Sequence, residues 1–209
     1  MTDIPGAMWR DPHPLVLASG SATRKALLAS AGLACIMHPA DIEEREIEVQ
    51  ARADGADPAA VALRLSEAKA EAVAAEYPQS ITIGADQILA LDDAILHKPA
   101  DMRALHEQIA RLSGRSHQLH AGVSLWRGRQ RLAGFTDAAS LTMRDLTPRE
   151  IDAYCALAGA DALTSVGGYK LEGAGIHLFS RVDGAHSTIL GLPLLPLLAA
   201  LRDAGCLTL

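Results

Sequence analysis

Residues 17–28 read LASGSATRKALL, a short apolar run, a Ser-Gly-Ser turn and an Arg-Lys pair opening an apolar helix. A strand that turns tightly into a helix leaves backbone N–H groups free at the helix N-terminus. Together with the helix dipole, these attract anions. Ser19 and Ser21 add hydroxyls at the turn, while Arg24 and Lys25 add positive charge where the dipole alone disfavours it. A phosphate seated on that end would offset the cost. An N-capped helix with two solvated cations is the plain alternative.

Four further places carry groups that could act on such an anion. Glu43 and Glu44 follow a strand end in the acidic segment DIEE, where carboxylates serve as metal ligands or as solvated loop acids. Asp86 follows the apolar run SITIGA; an acid at such a strand end needs a cation or metal beside it to stay ionised. Lys98 precedes Pro99, whose ring stiffens the backbone that carries it. Tyr169, Lys170 and Glu172 lie in the glycine-rich run GGYKLEGAG. Glycines let backbone approach a flat ligand, and a carboxylate at Glu172 can accept two hydrogen bonds. Lys69, between Glu67 and Glu71, reads by default as part of a solvated helix face, with an inward-pointing role left open. The eight histidines show no metal-ligand spacing; His117 and His120 fall on opposite faces of a strand and read as structural or exposed.

These side chains must be held by alternating strands and helices. The pattern predicts strands over 14–18 and 33–38, with a helix over 24–31 stopped by Gly32. A longer helix runs over 58–76 with Asp57 as N-cap and Val61, Leu65, Ala68 and Ala72 as its apolar stripe. A strand over 80–85 ends at Asp86, 88–91 continues extended, and Asp92-Asp93 forms a hairpin turn. A helix over 101–112 precedes two paired antiparallel strands, 117–126 and 130–143. Thr147, Pro148 and Glu150 open a helix to about residue 157 as a capping box. The glycine-rich loop over 167–175 leads to a strand over 176–182, and a last helix starts near Leu192. The outcome is an α/β fold with a mixed sheet: residues 1–13 as a polar, proline-containing leader, then one domain over 14–209.

Composition narrows the function. Nearly half the chain is apolar (49%) but only 3% is aromatic, so a full core must be built from aliphatic residues. The net charge of −6, without a basic tract, argues against a nucleic-acid polymer or an anionic membrane as partner; a single nucleotide in a local basic pocket is compatible with it. Three widely spaced cysteines, Cys35, Cys155 and Cys206, show no metal or disulfide spacing and suit a reducing compartment. No basic stretch followed by an apolar run opens the chain, so a cytoplasmic location is expected.

Taken in order, LASGSATRKALL, DIEE, LSEAKA, IGADQIL, HKP, LSGRSH, TPREIDAY, GGYKLEGAG and LGLPLL resemble the Maf family of nucleoside triphosphate pyrophosphatases from about Leu15 to Ala204. The resemblance implies a twisted mixed sheet flanked by helices in an inosine-triphosphatase-like, two-lobed domain. It implies cleavage between the α- and β-phosphates to give the monophosphate and pyrophosphate, a divalent cation (Mg²⁺ or Mn²⁺), and a homodimer. Arg24 is similar to the family's phosphate-binding Arg, Lys69 and Lys98 to its phosphate-binding lysines, Glu44 to its acidic site residue and Asp86 to its catalytic acid. Asp86 and Glu44 would hold the metal or orient the water, while Ser19, Ser21 and Arg24 complete the phosphate cradle. The turn departs from the family pattern, with Ala22 in place of Pro and Thr23 where Arg or Trp is usual. Thr23, Gln87 and Glu172 are similar to the base-selecting set. Asp86-Gln87 and Lys170-Leu171-Glu172 resemble the 7-methyl-GTP branch rather than the dTTP/UTP branch. A dTTP/UTP pyrophosphatase, or a nucleotide-binding regulator of septum formation with little catalysis, are the alternatives; the joint presence of Glu44, Lys69, Asp86 and Lys98 speaks against the regulator.

Overall fold

The computed structural model describes residues 8–208. Its centre is one mixed sheet built from β1 (Leu15–Ala18), β2 (Cys35–Met37), β3 (Ile81–Leu91), β4 (Ala94–Leu96), β5 (Ser116–Arg127), β6 (Gln130–Met143) and β7 (Phe179–Asp183), in the spatial order β2-β1-β3-β5-β6-β7 with β4 also paired to β3. β2–β1 and β1–β3 are parallel and the other pairs antiparallel. The helices are α1 (Ala22–Ser30), α2 (Glu44–Ala53), α3 (Pro58–Ala74), α4 (Met102–Leu112), α5 (Pro148–Ala158), α6 (His186–Ile189) and α7 (Leu194–Asp203).

β3 organises the molecule. β5 takes one edge of it from Ile81 to Ala90, so β1 and β4 must share the other. β1 stops at Ala18 opposite Gly84, and β4 begins to pair only at Leu89. The edge of β3 is therefore open over residues 85–88, between two neighbours that do not meet. The core changes at the same place. Ile81, Ile83 and Ala85 pack with Leu15, Leu17, Leu28, Leu197 and Leu201. Leu89 and Leu91 pack with Leu105, Ile109, Leu141 and Tyr154. These two cores are the two lobes, and Asp86-Gln87 sit on the strand between them.

α3 lies unusually close to the sheet. A Cβ at Gly84 would overlap the Ser66 carbonyl oxygen, and one at Gly122 would overlap the Ala62 backbone. The buried Ser124 hydroxyl donates to the Ser66 carbonyl at 2.9 Å, fixing the height of the helix. Gly84 pairs with Ser124 and Asp86 with Gly122 across β3 and β5, so a patch of small residues faces α3.

The predicted caps at Asp57 and Thr147 form, Thr147 in a capping box with Glu150, and Ser21 and Asp101 likewise each accept a backbone N–H from the first turn of a helix. Other expectations are corrected. α1 starts at Ala22, not Arg24. The acidic segment continues into α2, where the sequence alone suggests a loop; half of EREIEVQARA is charged, its N-cap Glu43 makes no side-chain cap bond, and only Ala51 is fully buried. On α3 the inner face is Val61, Leu65, Ser66, Lys69, Ala70 and Val73, whereas Ala72 is exposed. Lys69 is thus inward, not on a solvated face. β3 does not end at Asp86; pairing to β5 carries it on to Ala90 and pairing to β4 to Leu91, overriding the weak strand preference of the Asp-Gln pair. Ile176 lies in a 3₁₀ turn (Ala174–Leu178), and β7 starts only at Phe179. Of the leader over 1–13, residues 1–7 lie outside the described residues. In the rest, Trp9 bridges Leu207 and the Arg10 N–H donates to the Cys206 carbonyl.

Gly84→Ala should therefore force α3 off the sheet and lower stability by about 1–3 kcal/mol or more. Urea unfolding checks this, with Ala90→Gly as a control at a position on β3 away from that contact.

Candidate active site

At the open edge of β3 lies a cleft of about 910 Å³. Twelve of the side chains singled out in the sequence line it, Ser19, Ser21, Thr23, Arg24, Glu44, Lys69, Asp86, Gln87, Lys98, Tyr169, Lys170 and Glu172, whereas Lys25 and Glu43 do not. They come from six separate stretches of the chain, brought together by the gap between β1 and β4.

The floor is a charged triad. Lys69 Nζ donates to Asp86 Oδ1 at 2.5 Å and to Glu44 Oε1 at 2.9 Å. Lys69 and Asp86 are only 8% and 7% exposed, while Glu44 is open to solvent. A buried ammonium and carboxylate each carry a large desolvation cost, which only close pairing offsets. Two of the three Lys69 donors are used, so the third can take a phosphate oxygen. Asp86 Oδ2 has no protein partner among the described residues. Glu44 opens α2, where a carboxylate is favoured by the helix dipole.

Beside the triad, Arg24 is held from three sides. Its Nε donates to the Gly191 carbonyl at 2.8 Å, and its Nη1 to Ser19 Oγ at 3.1 Å and to the Ala85 carbonyl on the open edge at 2.8 Å. Nη2 has no protein partner among the described residues. Burial pulls the Arg24 pKa below its ordinary value, and the charges of Asp86 and Glu44 pull it back up. Ser21 Oγ caps α1 and Ser19 Oγ accepts the Ser21 N–H, so both hydroxyls shape the anion-binding turn.

The opposite wall is the glycine-rich loop. Lys170 Nζ pairs with Asp161 at 2.5 Å, and Glu172 is exposed. Tyr169 is 3% exposed and its hydroxyl meets His117 Nε2 at 2.5 Å, so that hydroxyl serves the loop's own anchoring. Tyr154 Oη donates to the Gly168 carbonyl at 2.9 Å and Gln108 Nε2 to the Val166 carbonyl at 2.7 Å. Three elements thereby pin the start of the loop. Lys98 is exposed at the mouth with no polar partner given by the described residues, near the His97–Glu48 contact at 3.6 Å.

Several contributors escape the sequence reading. Arg45 and Glu48 line the cleft only because α2 exists. Asp161 comes from a 3₁₀ turn (Gly159–Thr164) with no local motif. The segment after β7 supplies the carbonyls of Thr188 and Ile189 that accept both Nε2 hydrogens of Gln87, each at 3.0 Å. Its only foreshadowing is the LGLPLL run, whose Gly191 stands at φ +87° against the Arg24 guanidinium.

Among the described residues no group of three or more His, Cys, Asp or Glu side chains is gathered to hold a metal. The two carboxylates of Glu44 and Asp86 are hard oxygen donors. They suit Mg²⁺ or Mn²⁺ when phosphate oxygens and water complete the coordination, not as an all-protein cage.

A charged, half-open cleft at the C-terminal end of a parallel strand pair is the site of a protein that handles a phosphorylated small molecule. The family described as Maf-like protein matches residues 14–204, and the chain belongs to that family. A 7-methyl-GTP pyrophosphatase of Mesorhizobium japonicum is 47% identical over 92% of this chain and 97% of its own length. A nucleoside triphosphate pyrophosphatase of Nitrobacter hamburgensis is 47% identical over 97% of this chain and all of its own. Among solved structures, a HAM1 protein from Coxiella burnetii aligns at a TM-score of 0.41 with 17% identity, over 62% of this chain and 72% of that one.

Burial holds the His117 pKa down at about 4, below its usual 6.5. A depressed folded-state pKa gives stability that is present above pH 6.5 and lost as the unfolded chain, but not the folded one, takes up the proton between pH 6.5 and 4. The loss attributable to this residue is on the order of 3 kcal/mol. Unfolding free energies at pH 7 and pH 4.5 should show a clearly shallower decline in His117→Gln than in the parent chain.

Proposed function

We propose that this chain is a nucleoside triphosphate pyrophosphatase that acts on 7-methyl-GTP or a related modified purine nucleotide. The observation that carries the reading is the Lys69–Asp86–Glu44 triad beside a three-point-anchored Arg24 in one cleft. Attack at an α-phosphorus requires neutralised phosphate charge, a positioned water and a group to take its proton. Arg24, through Nη2, and the third N–H of Lys69 bind phosphate oxygens, with the free N–H groups at the start of α1 and Lys98 beside them. Asp86 orients the water through Oδ2 and accepts its proton. A new oxygen–phosphorus bond forms at the α-phosphate while the bond to the bridging oxygen breaks, its electrons leaving with pyrophosphate. Glu44 and Asp86 would hold the divalent cation, which when bound supplies further charge neutralisation on the phosphates.

The base lies toward the glycine-rich loop in this reading. Glu172 accepts from the N1–H and exocyclic amine of guanine and is attracted to the positive charge of a 7-methylated ring. Gln87, with both amide hydrogens given to backbone carbonyls, offers only an acceptor. The 47% identity to proteins named 7-methyl-GTP pyrophosphatase and nucleoside triphosphate pyrophosphatase supports the same reading. A homodimer and a cytoplasmic setting go with it.

Pyrophosphate release from a panel of ordinary and modified nucleotides with Mg²⁺ or Mn²⁺ tests the proposal. Asp86→Asn should reduce turnover at least ~100-fold with an unchanged far-UV spectrum, and excess EDTA should abolish it; full activity in either case sinks the assignment. Glu172→Gln should narrow the preference for 7-methyl-GTP over UTP by about tenfold. An unaltered ratio of kcat/KM values would mean that the loop does not read the base.

A further inference from the structure

Arg24 and Gln87 come from different elements, yet both stand beside Gly191 and are held by one short stretch of backbone. The carbonyls of Thr188 and Ile189 accept the two Gln87 hydrogens, and the Gly191 carbonyl accepts Arg24 Nε. Ile189 and Leu192 anchor this stretch in the two cores, and one further side-chain bond ties it to the sheet at β6. Thr188 Oγ1 donates to Asp137 Oδ2 at 2.6 Å, and Thr188 is fully buried. The other oxygen of Asp137 accepts the Ala138 N–H, so both carboxylate oxygens have a fixed partner. Asp137 lies on β6 opposite Ala121 and is not part of the cleft lining. Gly184, at φ +133°, lets the chain after β7 lie directly on Ala139, which brings Thr188 down onto Asp137.

We infer that Asp137 is a positioning residue for both the phosphate-facing Arg24 and the base-facing Gln87, acting through the Thr188 hydroxyl. A short bond between a carboxylate and a hydroxyl is charge-assisted and directional, stronger than a neutral pair. It fixes the rotation of α6, and with it the direction of three carbonyls. Those carbonyls consume Arg24 Nε and both Gln87 hydrogens, which turns Arg24 Nη2 and Gln87 Oε1 to the cleft. Loss of the link leaves both side chains able to rotate, so nucleotide affinity and base preference fall together.

This inference rests on the reading of the cleft as a nucleotide site, but its test does not need cleavage. The dissociation constant of an α,β-methylene guanosine triphosphate analogue is measured by calorimetry, well below the melting temperature. Asp137→Ala and Thr188→Val should each weaken binding about tenfold, and the double variant should be no weaker than either single one. Asp137→Asn, which keeps an acceptor, and Thr188→Ser, which keeps the hydroxyl, should stay within about twofold of the parent chain. If Asp137→Ala does not fold, the Thr188→Val and Thr188→Ser pair still reads the link.

Single variants that lower the melting temperature but leave the dissociation constant unchanged would show a merely structural role and overturn the inference. So would a double variant weakened about a hundredfold, since additive losses mean that Asp137 does not act through Thr188. A parent chain that binds the analogue but releases no pyrophosphate overturns the proposed activity and leaves this comparison intact. A parent chain that does not bind the analogue overturns both.

Discussion

The contact between α3 and the sheet sets the terms for the rest of the molecule. Because Gly84 and Gly122 have no side chains, backbone lies against backbone, and the Ser124 hydroxyl fastens the helix at that height. One turn further along α3, Lys69 then meets Asp86 at 2.5 Å. With larger residues at the glycines, the ammonium and carboxylate would stand apart in a half-dry cleft, each with a desolvation cost and no partner. Removing one member of such a buried pair typically costs about 3–5 kcal/mol. A pair that burdens stability in this way, placed where the sheet opens, is better explained by what it does to a ligand than by what it does for the fold.

The cleft exists because two neighbours share one edge of β3 and fail to meet. Over residues 85–88 the strand has a free edge, and the Ala85 carbonyl there is satisfied by Arg24 rather than by another strand. Unpaired backbone in a protein interior must find some partner, and here the partner is a cation that also faces the cleft. The pleat sends Asp86 toward α3 and Gln87 to the other face, toward Thr188 and Ile189. In the proposed reading, adjacent residues on one strand thereby serve the reacting group and the base of the same substrate.

The walls differ in how firmly they are held. The charged end is fixed by a helix cap, three Arg24 bonds and the Lys69 triad. The glycine-rich loop is pinned at 166–169 by Gln108, Tyr154 and His117 and further along by the buried Leu171, while the side chains it turns to the cleft, Lys170 paired with Asp161 and the exposed Glu172, lie nearer solvent. Surface pairs of this kind contribute about 0–1 kcal/mol. In the proposed reading the firmly held charged end meets the triphosphate, and the more exposed Lys170 and Glu172 side chains meet the base.

Much of this was legible in the residue order, because caps, turns and strand alternation depend on near neighbours. Asp57 and Thr147 announce two helices, and the anion-binding turn at Ser19–Arg24 can be read from types and spacing alone. The ordered motifs were sufficient to place the chain in its family. What could not be read was orientation. Lys69 sits between two glutamates and looks solvated; only the glycines of two other strands, far along the chain, turn that face inward. α2 lacks the apolar stripe that marks a helix, and its place is owed to packing against α3. Asp161 and the 188–191 carbonyls join the site solely through the way distant segments fold back on β3. The sequence by itself determined which groups are present and which local turns carry them. The tertiary structure decided which of those groups share one ligand, because shared contacts depend on long-range close approach of backbones, which no local pattern encodes.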